Sequence, residues 1–126
     1  MPPAKVLLLD DEVEFGSALA ERLRLRDYDA TAVSQAEDAL TFIRSDPPDV
    51  VLLDLRMPGM DGIEVLKIIK QINPSIEVIM LTGHGDTQTV EQGMKSGAFQ
   101  YVMKPIDIGE LILRIDKAVK KRNSAK

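Results

Sequence analysis

Short apolar runs recur along this chain at 6–9, 50–53 and 78–81, and each is followed by a longer stretch in which apolar side chains return every three or four positions. A run this short, bounded by polar residues, reads as a buried strand, and the stretch after it as an amphipathic helix. Repeated alternation of the two specifies a parallel sheet with helices on both faces. The pattern predicts strands over 5–10, 28–33, 49–54, 77–82 and 99–103, and helices over 14–26, 36–45, 62–72 and 87–96, with a fifth from Asp107. Tyr28 to Val33 carries Asp29 and Thr31, as an edge strand does.

Local signals set the helix ends. Pro47-Pro48 closes the second helix, Asn73-Pro74 the third and Gly97 the fourth. Asp27 stands at the turn after the first helix, where aspartate tolerates a left-handed backbone. Asp107 with Glu110 forms a capping-box pattern at the fifth helix, whose Ile108, Leu111, Ile112, Ile115 and Val119 make one buried stripe. Leu113 sits off that stripe and is a candidate for a partner or homodimer face. Lys117, Lys120, Lys121, Arg122 and Lys126 gather at the helix end, where cations suit the negative pole and a solvated surface is expected. The 126 residues fit one domain over 1–121, with 122–126 a polar tail or the start of a linker.

Several functions are excluded or disfavoured by composition. With no cysteine there is no disulfide, thiolate zinc site or Cys nucleophile, and a single histidine leaves no multi-histidine metal site. The net charge of −4 is the wrong sign for binding nucleic acid directly. The apolar runs fall far short of the roughly 20 residues that span a bilayer, and the start lacks a signal-peptide pattern, so a cytoplasmic protein without membrane contact is expected.

In a doubly wound sheet, ligands bind outside the carboxyl ends of the strands. Those ends carry Asp10-Asp11-Glu12 after the first strand, Asp54 after the third, Thr82-Gly83 after the fourth and Lys104-Pro105 after the fifth. Clustered carboxylates repel, and a divalent cation relieves the conflict. Mg²⁺ suits oxygen donors and keeps positions open for phosphate oxygens. Asp10 and Asp11 would point to opposite faces of an ideal strand, so the strand must end there for both to reach the ion. Asp11 is the expected direct ligand, and the Arg56 carbonyl can add a further oxygen. A metal, a carboxylate nucleophile, a lysine and a threonine together make a site that accepts a phosphoryl group, with Asp54 the nucleophile, Lys104 the counter-charge and Thr82 a hydroxyl donor.

These residues resemble the response-regulator receiver domains of two-component signal transduction, over essentially the whole chain. The most specific stretch is Asp54-Leu55-Arg56-Met57-Pro58-Gly59-Met60-Asp61-Gly62, joined to the acidic pair, Thr82 and Lys104-Pro105. The resemblance implies a flavodoxin-like α/β fold of five parallel strands in the order 2-1-3-4-5 with five helices. It implies that Asp10, Asp11 and Asp54 hold Mg²⁺, and that Asp54 takes phosphate from a sensor histidine kinase or a phosphotransfer protein. It also implies a Lys104-Pro105 bond that is often cis. By the same likeness Thr82 and Tyr101, three residues before Lys104, form a switch pair that remodels the face of the fourth helix, fifth strand and fifth helix toward an output domain or partner. Arg56 and His84, each two residues past a site residue, are expected to tune phosphoryl lifetime. No enzyme acting on an external substrate is expected, only self-phosphotransfer and autodephosphorylation.

Taken singly, each residue has a plainer reading. The acidic triplet is a helix-capping turn, Asp61-Gly62 a cap, Lys104 a surface lysine, Tyr101 a core aromatic and His84 a loop residue. Their convergence on one sheet edge favours function. A Mg²⁺-dependent phosphatase is the main rival, but it expects two aspartates separated by one residue after the first strand, and here Glu12 follows Asp11. No Gly-rich phosphate loop follows that strand, which disfavours a nucleotide site. The fourth helix, with Thr89-Val90 and interior Gly93, is weak by propensity, and Gly93→Ala is expected to stabilise it.

Overall fold

A computed structural model describes residues 3–57, 60–83 and 86–124. In chain order the elements are β1 (Lys5–Leu9), α1 (Val13–Arg24), β2 (Asp29–Val33), α2 (Ala36–Ser45), β3 (Val50–Asp54), β4 (Arg56–Met57), β5 (Met60–Asp61), α3 (Gly62–Ile72), β6 (Glu77–Thr82), α4 (Thr87–Lys95), β7 (Gln100–Met103) and α5 (Ile108–Ser124). The main sheet runs β2-β1-β3-β6-β7 and is parallel throughout, so its five strands taken in chain order lie 2-1-3-4-5. β4 and β5 form a small antiparallel ladder beside the end of β3.

The period-2 alternation of strand side chains builds two cores. Val6 and Leu8 of β1, Val50 and Leu52 of β3, and Ile79 and Leu81 of β6 pack with Leu19, Leu23, Leu111 and Ile115 of α1 and α5. The intervening Leu7, Leu9, Val51, Leu53, Val78 and Met80 pack with Ile43, Leu66 and Ile69 of α2 and α3. Every residue of β3 and β6 is buried, as expected for central strands covered on both faces. Asp27 has φ 68, so the left-handed turn after α1 is present.

Two expectations need correction. Gly93 is not a spare flexible point in α4: a Cβ there would lie 2.1 Å from Sδ and 2.8 Å from Cε of Met80, which is fully buried, so the glycine lets α4 close on β6. The cationic end of α5 is also more than a solvated surface. The helix continues through Ser124, Lys121 Nζ lies 3.2 Å from Glu77, and Arg122 lies 2.8 Å from Asp49. Among the described residues no helix is long and apolar enough to cross a membrane.

Candidate functional site at the carboxyl edge of the sheet

Strand parity assembles the site. Asp10 continues the series of Val6 and Leu8, Asp54 that of Val50 and Leu52, and Lys104 follows Val102, so all three belong to the α1 and α5 side. Register completes the arrangement. Leu9 pairs with Leu53, Asp54 with Leu81 and Thr82 with Met103, which sets the ends of β1, β3, β6 and β7 along one edge. Asp11 falls in the opposite series and is exposed.

Asp10 and Asp54 are almost fully buried, at 1% and 2% exposure. Oxygens of Asp10, Glu12 and Asp54 all lie within 4.8 Å of one another. Lys104 Nζ faces them, 3.3 Å from Asp10 Oδ2, 3.5 Å from Asp54 Oδ2 and 3.8 Å from Glu12 Oε1. Its ammonium also sits 4.5 Å from the centre of the Phe15 ring on α1, a cation–π contact that helps fix its position. The Lys104-Pro105 peptide is cis.

One lysine does not balance three carboxylates. Asp54 Oδ1 accepts a hydrogen bond from the Arg56 amide at 3.0 Å, whereas its Oδ2 is buried without a hydrogen-bond partner. Burial is the main reason the Asp54 pKa is pushed up to about 6; the Asp10 charge adds to the rise, and the Arg56 N–H and Lys104 oppose it. Burial works against the Lys104 ammonium, but Asp54, Asp10 and Glu12 outweigh it and raise its pKa above the usual value.

Thr82 is buried at the end of β6, where its hydroxyl donates to the Val102 carbonyl at 3.5 Å. Tyr101 is 41% exposed on β7. Between them lies a cavity of about 140 Å³, lined also by Asp86, Val90 and Met103. A cavity of about 150 Å³ admits a benzene ring, so this space is of aromatic size. The Arg56 side chain bonds Asp86. His84 lies outside the described residues, as do Pro58 and Gly59 of the acceptor stretch.

The structure thus gathers Asp10, Asp54 and Lys104, places Thr82 and Tyr101 around one cavity, and leaves Asp11 outside the inner carboxylate group. Three contributors are given no role of their own by the sequence: Glu12, which joins Asp10 and Asp54 in that group, Phe15 beneath Lys104, and Asp86. Asp86 carried a usable signal, an aspartate immediately before a predicted helix.

A family model described as the response regulator receiver domain matches residues 6–116. The chain belongs to this family. It is 36% identical over 119 residues to the DNA-binding transcriptional regulator NtrC of Proteus hauseri, covering 94% of this chain and 25% of that protein. It is 38% identical over 111 residues to the DNA-binding response regulator MtrA of Mycolicibacterium smegmatis, covering 88% and 48%. This receiver domain therefore spans a quarter to a half of the length of those relatives. Among solved structures, a response regulator receiver domain protein from Clostridium thermocellum superposes with a TM-score of 0.92 at 32% identity, covering 98% of this chain and 99% of that one. The receiver domain of NtrX from Brucella abortus gives 0.86 at 31%, covering 91% and 98%.

Proposed function

We propose that this receiver domain accepts a phosphoryl group on Asp54 Oδ2 from the phosphohistidine of a sensor kinase or phosphotransfer protein. One observation carries the reading: at the edge where four segments converge, Asp54 is buried among two further carboxylates that share a single lysine. Carboxylates crowded in the interior around too few bases are costly unless a cation joins them. In the transfer, Asp54 Oδ2 bonds to phosphorus as the phosphorus–nitrogen bond breaks, and the departing imidazole nitrogen takes up a proton. Lys104 meets the incoming charge, and Thr82 supplies a hydroxyl to a phosphoryl oxygen. Loss of the group is a separate displacement: water bonds to phosphorus, the bond to Asp54 breaks to restore its carboxylate, and phosphate leaves as a proton passes to solvent.

The all-oxygen donor set fits Mg²⁺. Asp10, Asp11, Asp54 and the Arg56 carbonyl are the groups proposed to hold it, with Glu12 added by its place in the carboxylate group. Bound there, the ion neutralises charge on the acceptor and on the phosphoryl oxygens.

Signalling follows from the cavity beside Thr82. As the threonine moves toward the phosphoryl group, Tyr101 turns inward and the α4, β7 and α5 face is remade for an output domain, a partner protein or a second copy of the chain. Arg56 and His84 lengthen the phosphoryl lifetime. The domain acts on no external substrate and works in the cytoplasm; nucleic-acid binding belongs to other segments or chains.

Intact mass after incubation with a small acyl phosphate and Mg²⁺ tests the reading. Wild type should gain one phosphoryl group and Asp54→Asn none; an adduct on the variant, or none on wild type, overturns it.

A further inference from the structure

Three helices open on an aspartate, and the three aspartates do not behave alike. Asp61 Oδ1 accepts from the Ile63 and Glu64 amides at the start of α3, and Asp107 Oδ1 from the Gly109 and Glu110 amides at the start of α5. Asp86 stands in the same place before α4, yet its side chain makes no capping bond to that helix. The carboxylate faces the acceptor side instead. Its Oδ2 accepts from the Gly83 amide at 2.8 Å, and Arg56 Nε reaches Oδ1 and Oδ2 at 2.9 and 3.1 Å while Nη2 lies 2.8 Å from Oδ1. This two-pronged arginine–carboxylate pairing is the strong form of the interaction.

Arg56 is thereby bonded in two directions. Its amide holds Asp54 Oδ1 and its guanidinium holds Asp86. The Asp54 charge already acts on that guanidinium. A phosphoryl group on Asp54 adds negative charge and acceptor oxygens that suit an arginine fork, creating a second claim on the same side chain. The carboxylate it would leave has an alternative of its own, since Asp86 stands at the N-cap of α4 without bonding that helix through its side chain.

Building on the phosphoacceptor reading above, we propose that Asp86 is a positioning residue for the acceptor site: it holds the Arg56 guanidinium while Asp54 is bare, and yields it to the phosphoryl oxygens when Asp54 is modified, whereupon Asp86 caps α4. The exchange joins the chemistry at Asp54 to the first turn of α4 through one side chain changing partners. It acts beside the Thr82 and Tyr101 pair and does not depend on their movement.

The test uses beryllofluoride, a tetrahedral phosphoryl mimic, with Mg²⁺. Affinity is measured for wild type, Asp86→Asn, Arg56→Ala and the double variant. Asparagine keeps an oxygen for the Gly83 amide but loses the charge that retains Arg56, so Asp86→Asn should bind the mimic about fivefold to tenfold more tightly. In the Arg56→Ala background the same substitution should change nothing. A purely structural role for Asp86 would shift affinity equally in both backgrounds, and that result, like no shift or a weaker affinity in Asp86→Asn, would overturn the exchange. Amide exchange at Gln88 and Thr89 gives a second readout: it should slow when wild type binds the mimic, whereas unchanged rates in wild type would contradict capping. Failure of wild type to bind beryllofluoride at all would strike the phosphoacceptor reading itself, and the exchange with it.

Discussion

The two edges of the sheet handle buried charge in opposite ways. At the amino edge, Glu77 is buried at the start of β6 with Lys121 at 3.2 Å and Lys70 at 3.8 Å, and Asp49 is held by Arg122 and by the Lys5 amide, each at 2.8 Å. Acids there meet bases, and two of the bases belong to the last turns of α5. At the carboxyl edge, Asp10, Glu12 and Asp54 share Lys104, three acids around one base. The helices follow suit. α5 buries Leu111, Ile115 and Ala118 and is further tied through Tyr28 to Asp116, whereas the only buried residue of the nine in α4 is Gly93. One edge pairs its acids with bases; the other crowds its acids around one base, as the proposed phosphoacceptor role requires.

Truncation in the two helices should expose the contrast most strongly. Ile115→Ala in α5 is expected to cost about 2–5 kcal/mol in urea unfolding, because it empties a fully buried site. Val90→Ala, at a partly buried position on α4, should cost no more than about 1 kcal/mol. Equal losses would break the comparison.

Neutralising one acid at each edge should give opposite signs. Glu77→Gln leaves Lys70 and Lys121 without their counter-charge and should destabilise by about 2 kcal/mol. Asp54→Asn, measured with a chelator at pH 7, should stabilise by about 1–2 kcal/mol. The sign follows from its titration: with a pKa of about 6 in the fold against 3.8 as a free side chain, Asp54 binds protons more readily folded than unfolded. Stability therefore falls as pH rises between those values, and the penalty is complete above the upper one. The gain from Asp54→Asn should fade as pH is lowered toward 4, which denaturation curves across that range would show.

Gly93→Ala has the smallest expected effect. Overpacking against Met80 outweighs the gain in helix propensity, for a net loss of about 1 kcal/mol in wild type. In a Met80→Ala background the same change should be neutral or stabilising, as read from the thermal midpoint.

Much of this was legible in the sequence, because the fold rests on periodicity. The buried runs of β1, β3 and β6 and the stripe of α5 appear where period and end signals place them, and the acceptor edge follows from which residues stand last on each strand. The misses share a different origin. Two-residue strands such as Arg56–Met57 and Met60–Asp61 have no period to read. Glu12 rather than Asp11 joins Asp10 because the chain turns immediately after β1, with the Glu12 amide bonding Asp10 Oδ1 at 2.9 Å. Gly93 looked like a weakness because propensity is local, while its use depends on Met80 in another element. Glu110 completes the capping pattern on paper, but its carboxylate takes Arg114 at 2.9 Å, leaving Asp107 to cap α5. In each case a tertiary partner decided what local reasoning left open.

The central claim is that charge arriving on Asp54 remakes α4 while α5 stays anchored from Ile115 onward. Amide hydrogen exchange across both helices, with and without a small acyl phosphate and Mg²⁺, tests it most directly. The account predicts altered protection in the first turns of α4 and unchanged protection in α5 from Ile115 onward, with no response in Asp54→Asn; changes of equal size in both helices, or in the variant, would contradict it.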